Sequence, residues 1–162
     1  MEKKVKVINM SNGRVVVNSP ALRFRRVWER KGATISIDFD LLEELKYNVG
    51  FERLLQNGTL YIEDMDTKKE LGLEPMEADE PVNIIILSDE QKEEVLTGEL
   101  NKLKDVLLKL SRDQKIDLAH YAIEKEITDF RVNDILKRET GIDVLNVIRI
   151  NRDLEEAEKQ ED

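Results

Sequence analysis

Few side chains in this sequence have the types and spacing for chemistry, and the first is His120, the one imidazole in the chain. Asp117 and Glu124 lie three and four residues away, on the same face if the segment is helical. A histidine with two carboxylates begins a weak metal site or a poised base. An open catalytic metal site needs a third convergent ligand, and nucleophilic catalysis needs an activated Ser, Thr or Cys beside the base. Neither is marked, so the plainer reading is an ion-paired helix surface. A second constellation, Glu63, Asp64 and Asp66 followed by Lys68 and Lys69, has the residue types of metal-dependent phosphodiester cleavage, with carboxylates for magnesium and a lysine for the attacked phosphate. No upstream carboxylate partner accompanies it, so the plainer reading is a solvated acidic loop. The chain has no cysteine, which excludes thiol nucleophiles, thiolate zinc sites, disulfides and cysteine-held clusters. None of the seven glycines begins a GxxxxGK or GxGxxG pattern, which argues against nucleotide use. The expectation is a protein without catalytic residues, metal or cofactor.

The third constellation is Leu22-Arg23-Phe24-Arg25-Arg26-Val27-Trp28, with Arg30 and Lys31 beyond it. Basic and aromatic side chains alternating on a barrel strand are a way of holding single-stranded nucleic acid, arginine on phosphate and aromatic on base. Leu22, Phe24 and Trp28 share one parity, however, which directs the aromatics to a core and leaves Arg23 and Arg25 outside. Arg26 shares the inward parity, so it sits at a strand end or edge, or covers the tryptophan face with its guanidinium. Such a basic face grips an acidic protein surface as readily as phosphate. We take Arg14, Arg23, Arg25, Arg26, Arg30 and Lys31 as the candidate partner-binding residues. Residues 112–149 offer a helix-turn-helix alternative, but few basic residues fall on any one exposed face there.

The elements that must carry these residues follow from periodicity and turn chemistry. Val5 and Val7 alternate with Lys4 and Lys6, Ser11-Asn12-Gly13 supplies a turn, and residues 15–17 are all valine, together predicting a hairpin. Residues 22–28 and 33–37 alternate as two further strands. Asp38 or Asp40 can open a helical insertion at about 40–57, as two short helices or one kinked at Gly50, which Asn57-Gly58 stops. Residues 59–62 form another strand, residues 63–83 a connecting loop with a helical turn near Lys69 and Leu71, and residues 84–87 a further short strand. This pattern predicts an α+β chain whose first part is a small barrel or roll, SH3-like or OB-like. From Ser88 the character becomes helical. Ser88 with Gln91 and Ser111 with Gln114 have capping-box spacing. Apolar stripes run through Leu100, Leu103, Val106, Leu107 and Leu110, then Ile116, Ala119, Ile123 and Ile127. Asp129 opens a helix that Gly141 ends, and Val144, Ile148 and Leu154 mark another. The expected organisation is a β-rich domain over 1–87, a helical bundle over 88–152 and an acidic tail over 153–162.

Charge separates the two ends of the chain. Residues 1–31 carry nine Lys or Arg against Glu2 and Glu29, a net of +7, within a chain whose total is -9. The last ten residues hold six acids against Lys159 alone. A distribution of this kind favours contact between copies, or with a partner of opposite field, and its acidic total disfavours a dedicated DNA-binding domain. The four residues 84–87 are the longest apolar run, too short for a membrane span, and Met1 to Lys4 lack the apolar core of a signal peptide. Synthesis in the cytosol, without a membrane or small-molecule partner, is the expectation.

Three stretches resemble small structural and accessory proteins of tailed-bacteriophage virions. They are Pro20-Ala21-Leu22-Arg23-Phe24-Arg25-Arg26-Val27-Trp28-Glu29-Arg30-Lys31-Gly32-Ala33, Val49-Gly50-Phe51-Glu52 and Leu60-Tyr61-Ile62-Glu63-Asp64-Met65. The likeness runs through most of the chain apart from the acidic end. It implies a non-enzymatic virion component in the capsid, at a vertex or at the head-to-tail junction, assembled in the host cytoplasm and contacting other virion proteins or further copies of itself. The alternative is a small nucleic-acid-binding regulator that uses the same basic strand face.

Overall fold

The alternation of Val5 and Val7 with Lys4 and Lys6 forms a strand, β1 (Lys4–Asn9), that buries the valines and exposes the lysines. A computed structural model describes residues 3–160, and the chain divides into two units, Met1–Ile85 and Ile86–Asp162. The class is α+β, with small open antiparallel sheets and eight α-helices among the described residues.

In the first unit β1 pairs antiparallel with β4 (Thr34–Asp38) from Lys4↔Asp38 to Ile8↔Thr34. Its C-terminal end also pairs with the two-residue β5 (Leu60–Tyr61), giving the order β4-β1-β5. The strands β2 (Val15–Ser19) and β3 (Phe24–Trp28) pair only with each other, as a separate ribbon. The expected hairpin between β1 and β2 is therefore absent, and the strands do not close into an SH3-like or OB-like barrel. Asn9 supplies the reason. Fully buried, it donates through Nδ2 to the carbonyls of Gly13 (2.7 Å) and Arg30 (3.1 Å) and accepts from the Ser11 amide (2.8 Å). These bonds turn the chain out of the β1 ladder where a hairpin would begin, while β4 and β5 occupy both sides of β1 there. The 3-10 turn Pro20–Leu22 then joins β2 to β3, ending on Arg23 in the left-handed region at φ 51°.

The helical insertion consists of two helices, α1 (Phe39–Leu45) and α2 (Val49–Gln56). The break falls before Gly50, because the Asn48 side chain accepts from the Phe51 amide (3.1 Å) and starts a new helix. Residues 63–83 contain more structure than expected, a helix α3 (Met65–Glu70) started by Asp64. Residues 84–87 are half-buried but not a strand; a short apolar run does not by itself provide a ladder partner. Both sheets and both insertion helices feed one core, including Val5, Val7, Val17, Phe24, Trp28, Leu42, Leu45, Phe51 and Leu60. Trp28 is fully enclosed, and its indole Nε1 donates to the Val7 carbonyl at 2.9 Å, so its one polar atom is satisfied.

The second unit is helical: α4 (Asp89–Thr97), α5 (Leu100–Leu107), α6 (Arg112–Glu124), α7 (Phe130–Thr140) and α8 (Val144–Gln160). Ser88 makes both arms of the capping box, its hydroxyl accepting from the Gln91 amide (3.3 Å) and its own amide donating to the Gln91 Oε1 (2.9 Å). Ser111 makes only the first arm. Asp129 caps α7 and Gly141, at φ 77°, ends it. Leu103, Leu107, Leu118, Ala119, Ala122, Val132, Leu136, Val144 and Ile148 are buried, and α6 packs on α4, α7 and α8. The α6 stripe is thus centred on Leu118, Ala119 and Ala122, with Ile116, Ile123 and Ile127 at its margins. Beyond Ile148 every described residue of α8 is exposed, Leu154 at 58%. The acidic residues 153–160 continue this helix, all of them exposed, since Glu, Ala, Lys and Gln are good helix formers and Glu155 and Lys159 have the favourable i,i+4 order.

Candidate interaction surface

The β2–β3 ribbon carries the basic residues. Its register sets Val15 against Trp28, Val17 against Arg26 and Ser19 against Phe24 on one face, and Val16 against Val27 and Asn18 against Arg25 on the other. All of the first face is buried except Arg26. Its guanidinium carbon stands 5.2 Å from the centre of the Phe24 ring, and its Nη1 donates to the Arg25 carbonyl at 2.9 Å. The aromatic it covers is Phe24, while Trp28 is sealed inside. The second face looks outward with Val16 46% exposed, beside half-buried Val27 and exposed Asn18 and Arg25. No third strand among the described residues joins either edge of the ribbon.

The six candidate residues are all exposed, but they do not share one face. Arg25 lies on the outward face and Arg23 on the turn at one end of the ribbon. Arg14 sits at the other end, about 17 Å away for five residues of strand, where it pairs with Glu29 at 3.6 Å. Arg30 and Lys31 occupy the turn after β3; the Lys31 ammonium donates to the Asn12 side chain at 3.2 Å. Val27 has the outward parity of Arg23 and Arg25 that the sequence shows, whereas Val16 could not be singled out, because three consecutive valines show no alternation until the register is known.

The other constellations disperse. His120 and Glu124 are exposed on α6, and among the described residues no three His, Cys, Asp or Glu side chains are grouped to hold a metal. In the acidic segment Asp64 caps α3 by accepting from the Thr67 hydroxyl and from the Thr67 amide (3.3 Å), and pairs with Lys3 at 3.7 Å. The Thr67 bonds, with help from the Lys3 ammonium, hold its carboxyl below the usual aspartate range. Glu63 and Asp66 face solvent, whereas Lys68 is buried. In the helical unit, Asp129 is held below the usual aspartate range by the Arg131 side chain and amide. Glu126 is likewise held low by Arg152, 3.1 Å away on α8.

Comparisons with protein-family models, with curated proteins and with solved structures found no match.

Proposed function

We propose that this chain is a non-enzymatic structural or accessory protein of a tailed-bacteriophage particle, in the capsid, at a vertex or at the head-to-tail junction. In this reading it works through a protein contact made by the β2–β3 ribbon. The observation that carries the reading is the ribbon's outward face, where the exposed Val16 and half-buried Val27 lie beside Arg25 between two unpaired strand edges. Free edges accept backbone hydrogen bonds from an added strand, the valines give apolar area, and the arginines select an acidic partner. Phosphate would use Arg25 but has no use for the valines, so the face suits a protein better than a nucleic acid.

The test is the double variant Arg23→Glu and Arg25→Glu, assayed by co-sedimentation with assembled particles. Loss of incorporation with an unchanged circular dichroism spectrum is expected. Normal incorporation would remove this contact, and oligonucleotide binding by the wild-type chain with a steep salt dependence would favour the regulator reading instead.

A further inference from the structure

The first unit holds a cleft of about 360 Å³ that the protein-contact reading does not use. Leu55, Leu60, Ile62, Leu73 and Ile84 form its apolar wall, and polar side chains, Gln56 and Asn83 among them, line about as much of it. Two ionisable side chains also line it and are almost wholly buried, Lys68 at 3% and Glu74 at 5% exposed. They form no ion pair with each other. The Glu74 carboxylate is already engaged, one oxygen accepting from the Val82 amide (3.1 Å) and the other from the Asn83 amide (3.2 Å). It ties down the segment that closes the cleft, helped by Asn83, whose side chain donates to the Leu73 carbonyl at 2.6 Å.

Lys68 is less well served. Its ammonium donates to the Tyr61 hydroxyl at 3.1 Å and stands 4.8 Å from the centre of that ring. An ammonium has three N–H donors, and burying it is unfavourable unless an opposite charge or further hydrogen bonds offset the lost hydration. The Tyr61 hydroxyl, in accepting from Lys68, keeps its own proton to donate. Two adjacent donors therefore line a cleft that also has an apolar wall, and its volume falls within the range of small-molecule sites, roughly 300–1,000 Å³.

We infer that this cleft binds a small organic carboxylate, its oxygens on Lys68 and Tyr61 and its hydrocarbon part along Leu55, Leu60 and Ile84. The carboxylate supplies the acceptors that the ammonium lacks, and the apolar wall takes the remainder. Inorganic phosphate meets only the first requirement.

The experiment is a titration of the full chain, followed by amide chemical shifts in NMR, with hexanoate, hexanol and inorganic phosphate. Saturable shifts at Tyr61, Lys68 and Ile84 are expected with hexanoate, with hexanol and phosphate each at least about tenfold weaker. Lys68→Met, close in shape and free of charge, should weaken hexanoate by at least about tenfold while the spectrum stays folded. Absence of saturable shifts would overturn the inference and leave a water-filled cleft. So would hexanol or phosphate binding as tightly as hexanoate, or unchanged affinity in a folded Lys68→Met chain. If that variant does not fold, the wild-type comparison among the three probes decides alone.

Discussion

Arg26 lies over the ring of Phe24, 5.2 Å from its centre, on the strand face that otherwise points into the core. A guanidinium tolerates this position because it is planar, weakly hydrated and attracted to the face of an aromatic ring. Arg26 and its neighbour Arg25, adjacent in sequence, thus have different work, one covering the core and one facing outward. Replacing Arg26 by Ala should cost about 0.5–1 kcal/mol of stability in a denaturant titration and leave particle incorporation intact. Arg25→Glu should do the reverse.

Arg23 is an exposed basic residue whose backbone the turn after β2 holds at φ 51°. Glycine enters that region without a Cβ clash. Arg23→Gly should therefore hold or raise stability, by up to about 1 kcal/mol, while weakening the particle contact. A fall in both quantities would mean that the arginine side chain has a structural partner.

Asn9 bonds three backbone groups, of Ser11, Gly13 and Arg30, through one side chain and is wholly enclosed. Asn9→Ala leaves the Ser11 amide without its acceptor, while the Gly13 and Arg30 carbonyls each lose one of two donors and keep the Ser11 hydroxyl and the Ala33 amide; this should cost about 1–3 kcal/mol. Thermal or denaturant unfolding measures this directly, and a loss under 0.5 kcal/mol would show that water replaces the side chain.

Asp64 gives the first unit a pH dependence of known sign. Its carboxyl is held below the usual range by the Thr67 bonds, so between its folded and unfolded values the unfolded chain binds more protons. The stability it contributes is complete above about pH 4 and disappears as pH falls through the lower folded value. Asp64→Asn keeps an oxygen for the Thr67 amide but cannot titrate. Wild type should be the more stable of the two at pH 6, with the gap closing towards pH 3.

The opposed charges of the chain ends predict salt-sensitive self-association. Light scattering should give a larger mass at low salt than at 0.5 M salt, where the screening length is only a few Å. The same monomer mass in both conditions would restrict the contact surface to other particle proteins.

Local signals were legible in the sequence and non-local pairing was not. Ser88 with Gln91, and Asp129 with Gly141, mark helix ends because each acts within four residues of chain. The inward parity of Phe24 and Trp28 was readable for the same reason. The partner of β1 was not, since β4 lies some twenty-five residues beyond it and Asn-Gly at 12–13 advertises a hairpin that the side chain of Asn9 overrides. Leu154 has the right spacing for the α8 stripe, but the neighbouring helices do not cover that end of the helix. Lys68 appeared as a phosphate-facing lysine among acids. Its burial beside Tyr61 depends on how α3 returns to β5, which no local pattern records.

Trp28, enclosed and bonded to the Val7 carbonyl, is the only tryptophan of the chain. Its emission is consequently a private signal of the Met1–Ile85 unit, blue-shifted while the indole is dry and red-shifted once water reaches it. Five of the eight α-helices among the described residues lie in the other unit, so far-ultraviolet circular dichroism weights that half. The two signals give each unit its own optical channel, and their midpoints in one urea titration reveal whether the halves melt together or in sequence.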